Sequence, residues 1–346
     1  MRAMILAGGM STRLYPLTKQ VPKPLVPVAG EPNAVHLIRY LANCGFDEIA
    51  INVHYLAEKI VRTLGDGSEF GVRLEYLHEE RLLGSAGAVQ QMEAFFADEP
   101  FVVVGCDDLT DLPLNQLIGF HRKNEAIATI GLVERDAVDQ YGVVVTQADG
   151  RIVGFQEKPA RGTEKSKLAN TGIYAFSPEI FRYIPAGAFY DFGKNVFPAL
   201  QQAGAAFYGF DARGAYWCDI GTPDEYRRAT FDVVNGVFAI PQTRASGIDP
   251  TAKISPSAQI TGAVWIGRDV VVGDDAVIRG PSVVGNGARI GAGAVLDHSI
   301  VWENAIIGAD ARLDNAIVGV GYAVAGGANL DSVAVANEPV IPSSAG

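Results

Sequence analysis

From Ile254 to Trp302 an apolar residue returns at every sixth position: Ile254, Ile260, Ile266, Val272, Ile278, Val284, Ile290, Leu296 and Trp302. Glycine follows four of these anchors, Ile266, Val272, Val284 and Ile290. A six-residue apolar repeat with small residues at its corners builds a parallel β-helix, in which each repeat forms one side and three make a coil. After Trp302 the spacing slips: Ile307 and Leu313 resume it, and Val318 follows irregularly. The slip predicts a loop or cap near 303–306. The solenoid is expected over 251–336, after a linker over 237–250 marked by Pro241, Gly247 and Pro250, and before a C-terminal tail over 337–346.

Residues 1–236 read differently. Apolar runs suited to strands, at 3–6, 49–53, 72–77, 101–104 and 126–133, alternate with helical patterns at 34–43, 56–64, 86–96 and 114–123. Pro113 suits the first position of a helix, and Gly45 the position just past one. Short continuous apolar strands separated by helices imply βαβ units and a mostly parallel, Rossmann-like α/β sheet covered on both faces. Ligands of such sheets bind beyond the carboxyl ends of the strands.

The chain of 346 residues has room for two domains, and 48% hydrophobic residues can fill a core in each. Its net charge is −11 with no basic run to offset it, which argues against a nucleic-acid partner. No stretch reaches about 18 apolar residues and no cleavable leader precedes the first strand, so no membrane partner and a cytoplasmic location are expected. Cys44, Cys106 and Cys218 are odd in number and widely spaced, which supports neither a disulfide framework nor a zinc site.

The first strand runs into the pair Gly8 and Gly9, followed by Arg13 and Lys23. Without a Cβ at the pair, the main chain can turn and bring its N–H groups against phosphoryl oxygens. Arg13 supplies a planar fork and Lys23 a compact charge, two ways of neutralising a polyphosphate. There is no Gly-Lys-Ser/Thr ending and no third glycine with an acid about 20 residues on, so neither common nucleotide loop is present.

Residues 8–18 and 22–25 resemble the signature of the sugar nucleotidyltransferases, Gly-Gly-x-Gly-Thr-Arg-Leu-x-Pro-Leu-Thr followed by Pro-Lys-Pro-Leu. Ser11 stands where the family usually has glycine. The resemblance implies that Leu6, Ala7, Gly8 and Gly9 bind the nucleotide and that Arg13 and Lys23 are catalytic, stabilising the pyrophosphate leaving group. Glu79 with Leu83-Gly84-Ser85-Ala86-Gly87 is similar to the family's Glu-x-x-Pro-Leu-Gly-Thr-Ala-Gly, which implies base contacts from Glu79, Gly84, Ser85 and Ala86. An N-cap at Ser85 is the plainer reading of that serine.

Gly105-Cys106-Asp107-Asp108-Leu109-Thr110-Asp111 resembles the family's Asn-Gly-Asp-x-Leu-Thr-Asp, which makes Asp107 a metal aspartate. Asp108 and Asp111 read as solvated or capping carboxylates. Gly142, Glu157, Lys158 and Asn170 follow in the order in which the family builds its sugar-phosphate pocket. Gly142 would admit the ring, Glu157 and Asn170 would bond its hydroxyls, and Lys158 would pair with the phosphate. Trp217-Cys218-Asp219-Ile220-Gly221-Thr222-Pro223 is similar to Trp-x-Asp-Ile-Gly-Thr-Pro and makes Asp219 the second ligand of one Mg²⁺. Thr222-Pro223-Asp224 also reads as a helix start. The hexad region resembles the left-handed hexapeptide helix of acyltransferases and of several nucleotidyltransferases.

The activity implied is transfer of a nucleoside monophosphate from an NTP to a sugar 1-phosphate with release of pyrophosphate. Length, the segment Asp191–Lys194, and a resemblance of 302–308 to mannose-1-phosphate guanylyltransferases favour GTP and mannose 1-phosphate. The alternatives are glucose 1-phosphate with another NTP, a hexapeptide acyltransferase, for which His298 is the one histidine of the repeat region, and a regulatory paralogue without turnover. A solenoid with exposed edges commonly packs against a copy, so a homo-oligomer through the β-helix is expected.

Overall fold

The structure is a computed structural model that describes residues 1–96, 99–241 and 243–338; the expected tail lies outside these from residue 339 onward. The chain forms two compact units, Met1–Met10 with Leu37–Cys218, and Ser11–His36 with Asp219–Gly346. The grouping is not sequential. The loop that carries Arg13 and Lys23 belongs to the second unit, although the strand before it belongs to the first.

The first unit is built on a nine-stranded sheet of β1 (Arg2–Leu6), β2 (Glu48–Val53), β3 (Arg73–His78), β4 (Phe101–Gly105), β5 (Ala128–Glu134), β6 (Gly142–Thr146), β7 (Ile152–Glu157), β8 (Leu168–Phe176) and β9 (Phe207–Asp211). The order runs β7-β6-β8-β4-β1-β2-β3, with β5 on β8 and β9 on β5. Strands β3, β2, β1 and β4 are parallel, as alternation with helices requires. Their central residues Ala3, Met4, Ile5, Ala50, Val102 and Val103 are fully buried. Each such Val, Ile or Met side chain contributes roughly 1.5–3 kcal/mol by leaving water.

Beyond β4 the direction alternates: β8 is antiparallel to β4, β5 and β6, and β7 to β6. Parallel neighbours need a crossover of about a dozen residues or more, and residues 147–151 between β6 and β7 leave room only for a hairpin. The expected helix over 86–96 is two pieces, Gly84–Gln91 and Glu93–Phe96. Pro113 is not the first residue of its helix: it stands just before Leu114–Lys123, at the N-cap position, with no side-chain capping bond. No helix among the described residues is long and apolar enough to cross a membrane.

In the second unit three parallel sheets stack the hexads into a β-helix, with strands of one face at Val264–Ile266, Ser282–Val284, Ile300–Val301, Ile317–Val318 and Ala334–Val335. The first strand, Gly247–Ile248, already pairs with Val264–Ile266, so the last residues of the expected linker are part of the first coil. Ile266, Val272, Ile278, Val284, Ile290 and Leu296 all point into the coil core.

The next inward residue is Val301, not Trp302. Val284 pairs with Val301, Leu296 with Leu313, and Val301 with Val318. Coils are 18 residues long up to this face and 17 after it, because the side from Leu296 to Val301 is one residue short. The same side is short again from Leu313 to Val318. The slip is therefore a shortened side at 297–301, and residues 303–306 form an ordinary corner leading into the strand Ile306–Ile307.

Trp302 turns out of the coil. Its Nε1–H donates to the Tyr226 hydroxyl at 2.8 Å, and the two rings meet edge to face. Tyr226 sits on the helix Pro223–Val234, whose start is as expected: Thr222 caps it by accepting from Glu225 N–H, with proline at the first position.

Candidate active site

The carboxyl end of β1 leads directly into a cleft of about 230 Å³ in the first unit. Leu6, Gly8, Gly9, Asn52, Glu79, Leu82, Gly84, Ser85 and Phe189 line it. The Asn52 side chain, at the end of β2, accepts from Ala7 N–H (2.8 Å) and donates to Glu79 Oε2 (2.8 Å). The other Glu79 oxygen accepts from Leu83 N–H at 3.1 Å. Glu79 is 7% exposed, so these bonds replace the water that a buried carboxylate loses. A Cβ on Gly8 would stand 2.2 Å from Glu79 Oε2, whereas one on Gly9 would meet nothing within 4 Å. The turn at Gly8 is thus fixed by the protein's own packing, and the space above Gly9 is open.

Ser85 is not the N-cap of its helix. Gly84–Gln91 begins one residue earlier, and the serine hydroxyl donates to Asp191 Oδ2 and accepts from Phe192 N–H, both at 3.0 Å. Backbone bonds from Ala86 and Gly87 to Tyr190 O, and from Tyr190 N–H to Leu83 O, complete the join. Gly84 has φ +75, and a Cβ there would lie 2.4 Å from Tyr190 O, so only glycine lets the two segments meet this closely.

The same segment packs against the residues expected to hold the sugar phosphate. Glu157 on β7 is the register partner of Gly142 on β6, and a Cβ on Gly142 would lie 3.3 Å from Asn170 Cβ on β8. Glu157 Oε2 lies only 2.6 Å from where a Cβ on Gly193 would stand. The residue is exposed as a whole, but packing of its carboxyl against that backbone holds its pKa above the ordinary value; Lys158 opposes the rise and Asp191 adds to it. Asn170 lies at a bulge where the β8 register shifts before Tyr174. Its amide donates to Tyr174 OH and accepts from Gly172 N–H, which leaves one amide hydrogen. Lys158 follows Glu157 with φ +44 and a backbone bond to Tyr141 O.

Asp107 follows β4 and is half-buried. A Cβ on Gly105 would stand 2.7 Å from Asp107 Oδ1, so the glycine makes the room that this carboxylate occupies. Cys106 is buried, with its N–H bonded to Leu6 O. The small residue of the family pattern has in effect moved one place back. Asp108 is 3% exposed, contrary to a solvated or capping carboxylate: it accepts from Gly105 N–H and from Trp217 Nε1–H, both at 2.8 Å, and holds the loop together. Asp111 is exposed, as a solvated carboxylate would be, and accepts from Tyr216 N–H far along the chain.

In the second unit Arg13 Nη2 and Lys23 Nζ lie 3.9 and 3.7 Å from the two oxygens of Asp219, ion pairs longer than hydrogen bonds. Gly221 clears the space, since a Cβ there would stand 2.6 Å from Asp219 and 3.0 Å from Arg13. Lys23 is 8% exposed while the Arg13 side chain is 58% exposed. Ser11 adopts φ 53, ψ 40, the left-handed conformation that glycine takes at little cost, and its side chain makes no capping bond. His298 occupies a left-handed corner of the β-helix, with Asp297 at its Nδ1 and its ring against Phe231.

Sequence reasoning missed Asn52, Phe189 and the bridging role of Asp191. A buried polar residue at the carboxyl end of a parallel strand could have revealed Asn52; Phe189 carries no such signal.

This glycine-floored cleft at the end of β1 accompanies a match to known families. The family described as nucleotidyl transferase matches residues 2–236, and bacterial transferase hexapeptide (six repeats) matches 263–298. The chain belongs to the nucleotidyl transferase family, and its coil region is a left-handed hexapeptide β-helix. It is 42% identical to a UTP–glucose-1-phosphate uridylyltransferase of Synechocystis sp. over 68% of this chain, a match that spans 64% of that relative, less than two thirds of its length. It is 34% identical to a mannose-1-phosphate guanylyltransferase of Mycobacterium tuberculosis over 70% of this chain and 67% of that one. A Bacillus anthracis crystal structure described as a glucose-1-phosphate thymidylyltransferase aligns with TM-score 0.61 and 28% identity, over 66% of this chain and 94% of the other.

Proposed function

We propose that this chain transfers a nucleoside monophosphate from an NTP to a hexose 1-phosphate. The observation that carries the reading is the segment from Ala188 to Lys194, which bonds Ser85 at the glycine-floored cleft and, through Gly193, packs against Glu157, the register partner of Gly142. The sugar phosphate has to reach the α-phosphorus, so the residues that hold the two substrates must lie side by side. A sugar phosphate oxygen attacks the α-phosphorus, the bond from that phosphorus to the bridging oxygen breaks, and pyrophosphate leaves with the electron pair. No side-chain nucleophile is needed; positioning and charge stabilisation supply the rate. Gly8 and Gly9 bring main-chain N–H groups to the phosphates, and Arg13 and Lys23 balance the charge of the pyrophosphate. Glu157 and Asn170 orient the sugar, with Lys158 on its phosphate.

Magnesium belongs to this reading on donor chemistry. It is commonly bound through one or two carboxylates plus substrate phosphates, and Asp107 and Asp219 each offer a hard oxygen donor of that kind. When bound, the ion would neutralise phosphate charge. In Asp107→Asn, residual turnover should need more magnesium than in the wild type.

For base and sugar, GTP with mannose 1-phosphate was expected, partly on the segment that begins at Trp302. The tryptophan's bond to Tyr226 explains that residue by packing, and the 42% identity to a UTP–glucose relative favours UTP with glucose 1-phosphate as a second reading. Pyrophosphate release from each of five NTPs against glucose 1-phosphate and mannose 1-phosphate tests both. Release with no pair would sink the proposal. Self-association through the β-helix, where outward-facing Ile306 is 46% exposed, is checked by molar mass in solution.

A further inference from the structure

Phe189 is 66% exposed, yet its chain neighbours are firmly held. Tyr190 makes three backbone bonds to the first turn of the helix Gly84–Gln91, and Asp191 and Phe192 bond the Ser85 hydroxyl. Ala188 O lies 2.7 Å from where a Cβ on Gly87 would stand. An exposed apolar ring standing alone is ordinary, but one held on a pinned backbone among other apolar groups that line a cleft marks a ligand-binding surface.

The ring lines the cleft at the end of β1, together with Leu6 and with Leu82, itself 38% exposed. The ionisable residue of that lining is the carboxylate of Glu79, and no lysine or arginine is among the lining residues. The side of the cleft that Phe189, Leu82 and Leu6 form carries no group that pairs with phosphate and suits a flat, uncharged heterocycle, which leaves the main-chain N–H groups of Gly8 and Gly9 for the phosphates. We infer that Phe189 is the face on which the nucleobase of the NTP stacks. The inference rests on the proposed nucleotidyl transfer and deepens it. An aromatic side chain loses little conformational entropy on binding, and every base has a π-face, so the contact holds the nucleotide without choosing among bases.

The test uses the full chain. In Phe189→Ala the dissociation constant of the preferred NTP, by calorimetry, and its KM should rise roughly tenfold or more, the usual loss when one stacking partner is removed. The kcat value and the KM for sugar 1-phosphate should stay within about twofold, because binding common to ground and transition states moves KM alone. Phe189→Trp should restore NTP affinity, and Phe189→Leu should not. The thermal midpoint of all three should match the wild type, since the ring is mostly in water. A wild type that binds NTP while Phe189→Ala binds it equally well overturns the inference and leaves nucleotidyl transfer standing. Phe189→Leu equal to wild type also overturns it, by showing an apolar cover in place of stacking. A wild type that binds no NTP overturns both.

Discussion

Glycine marks the corners of the β-helix and the end of β1 alike, but the two regions use it for opposite ends. At Gly308 a Cβ would stand 2.4 Å from Gly326 N in the next coil, and at Gly291 it would stand 2.5 Å from Ala309 N. There the missing side chain is filled by the protein's own backbone. At Gly9 the same omission is filled by nothing within 4 Å. Gly8, next to it, follows the corner pattern, with Glu79 in the place of a neighbouring coil. A motif glycine thus serves the fold or keeps space for something outside the chain, and the contents of the Cβ position tell the two apart.

The largest effect should come from the exposed cation four residues after the open glycine in sequence. Arg13→Ala should lower kcat by about 10²–10³-fold, the loss typical of one preorganised charge-stabilising donor, with the thermal midpoint nearly unchanged because the side chain is mostly exposed. A matching loss of stability would place Arg13 with the fold and break the contrast. Gly308→Val should do the reverse. Overpacking against a backbone that cannot yield should destabilise by about 3 kcal/mol or more, read in denaturant unfolding, while activity per folded molecule is kept.

Next in size is the paired test at the loop itself. Gly8→Ala should cost about 1–3 kcal/mol of stability, whereas Gly9→Ala should stay within about 0.5 kcal/mol of wild type and instead weaken NTP binding. Equal destabilisation by both would erase the distinction between filled and open glycines. The smallest change is Ser11→Gly. Relief of the left-handed serine should add a few tenths to about 1 kcal/mol, set against the greater freedom of glycine in the unfolded chain. A loss of stability there would show that the hydroxyl has a role its present contacts do not reveal.

Much of this was legible in the sequence because it is local. The parallel strands β1 to β4 announce themselves as apolar runs that helices separate, and the hexads name the inward residues from Ile254 to Leu296. What failed was phase and company. Trp302 stands six residues after Leu296 and so satisfies the repeat, but the side was one residue short and Val301 took the inward place. No spacing rule separates the two, since both are apolar. Asp108 read as a solvated or capping carboxylate and Ser85 as an N-cap because their partners, Trp217 and Asp191, are more than a hundred residues away. The membership of the Arg13 and Lys23 loop was hidden for the same reason: chain order groups it with β1, and packing groups it with the β-helix.

The shortened side has a consequence for how such a chain could change length. Once Val301 takes its place, the later coils keep the 17-residue repeat, with Leu313 to Val318 short on the same face. Stacked rungs bond backbone to backbone, and Val284 pairs with Val301 although the side before Val301 is one residue short, so the missing residue is absorbed within that side and the rungs stay aligned. A coil added by tandem duplication in this stretch would carry its short side with it and repeat the pairing that Val301 makes with Val318.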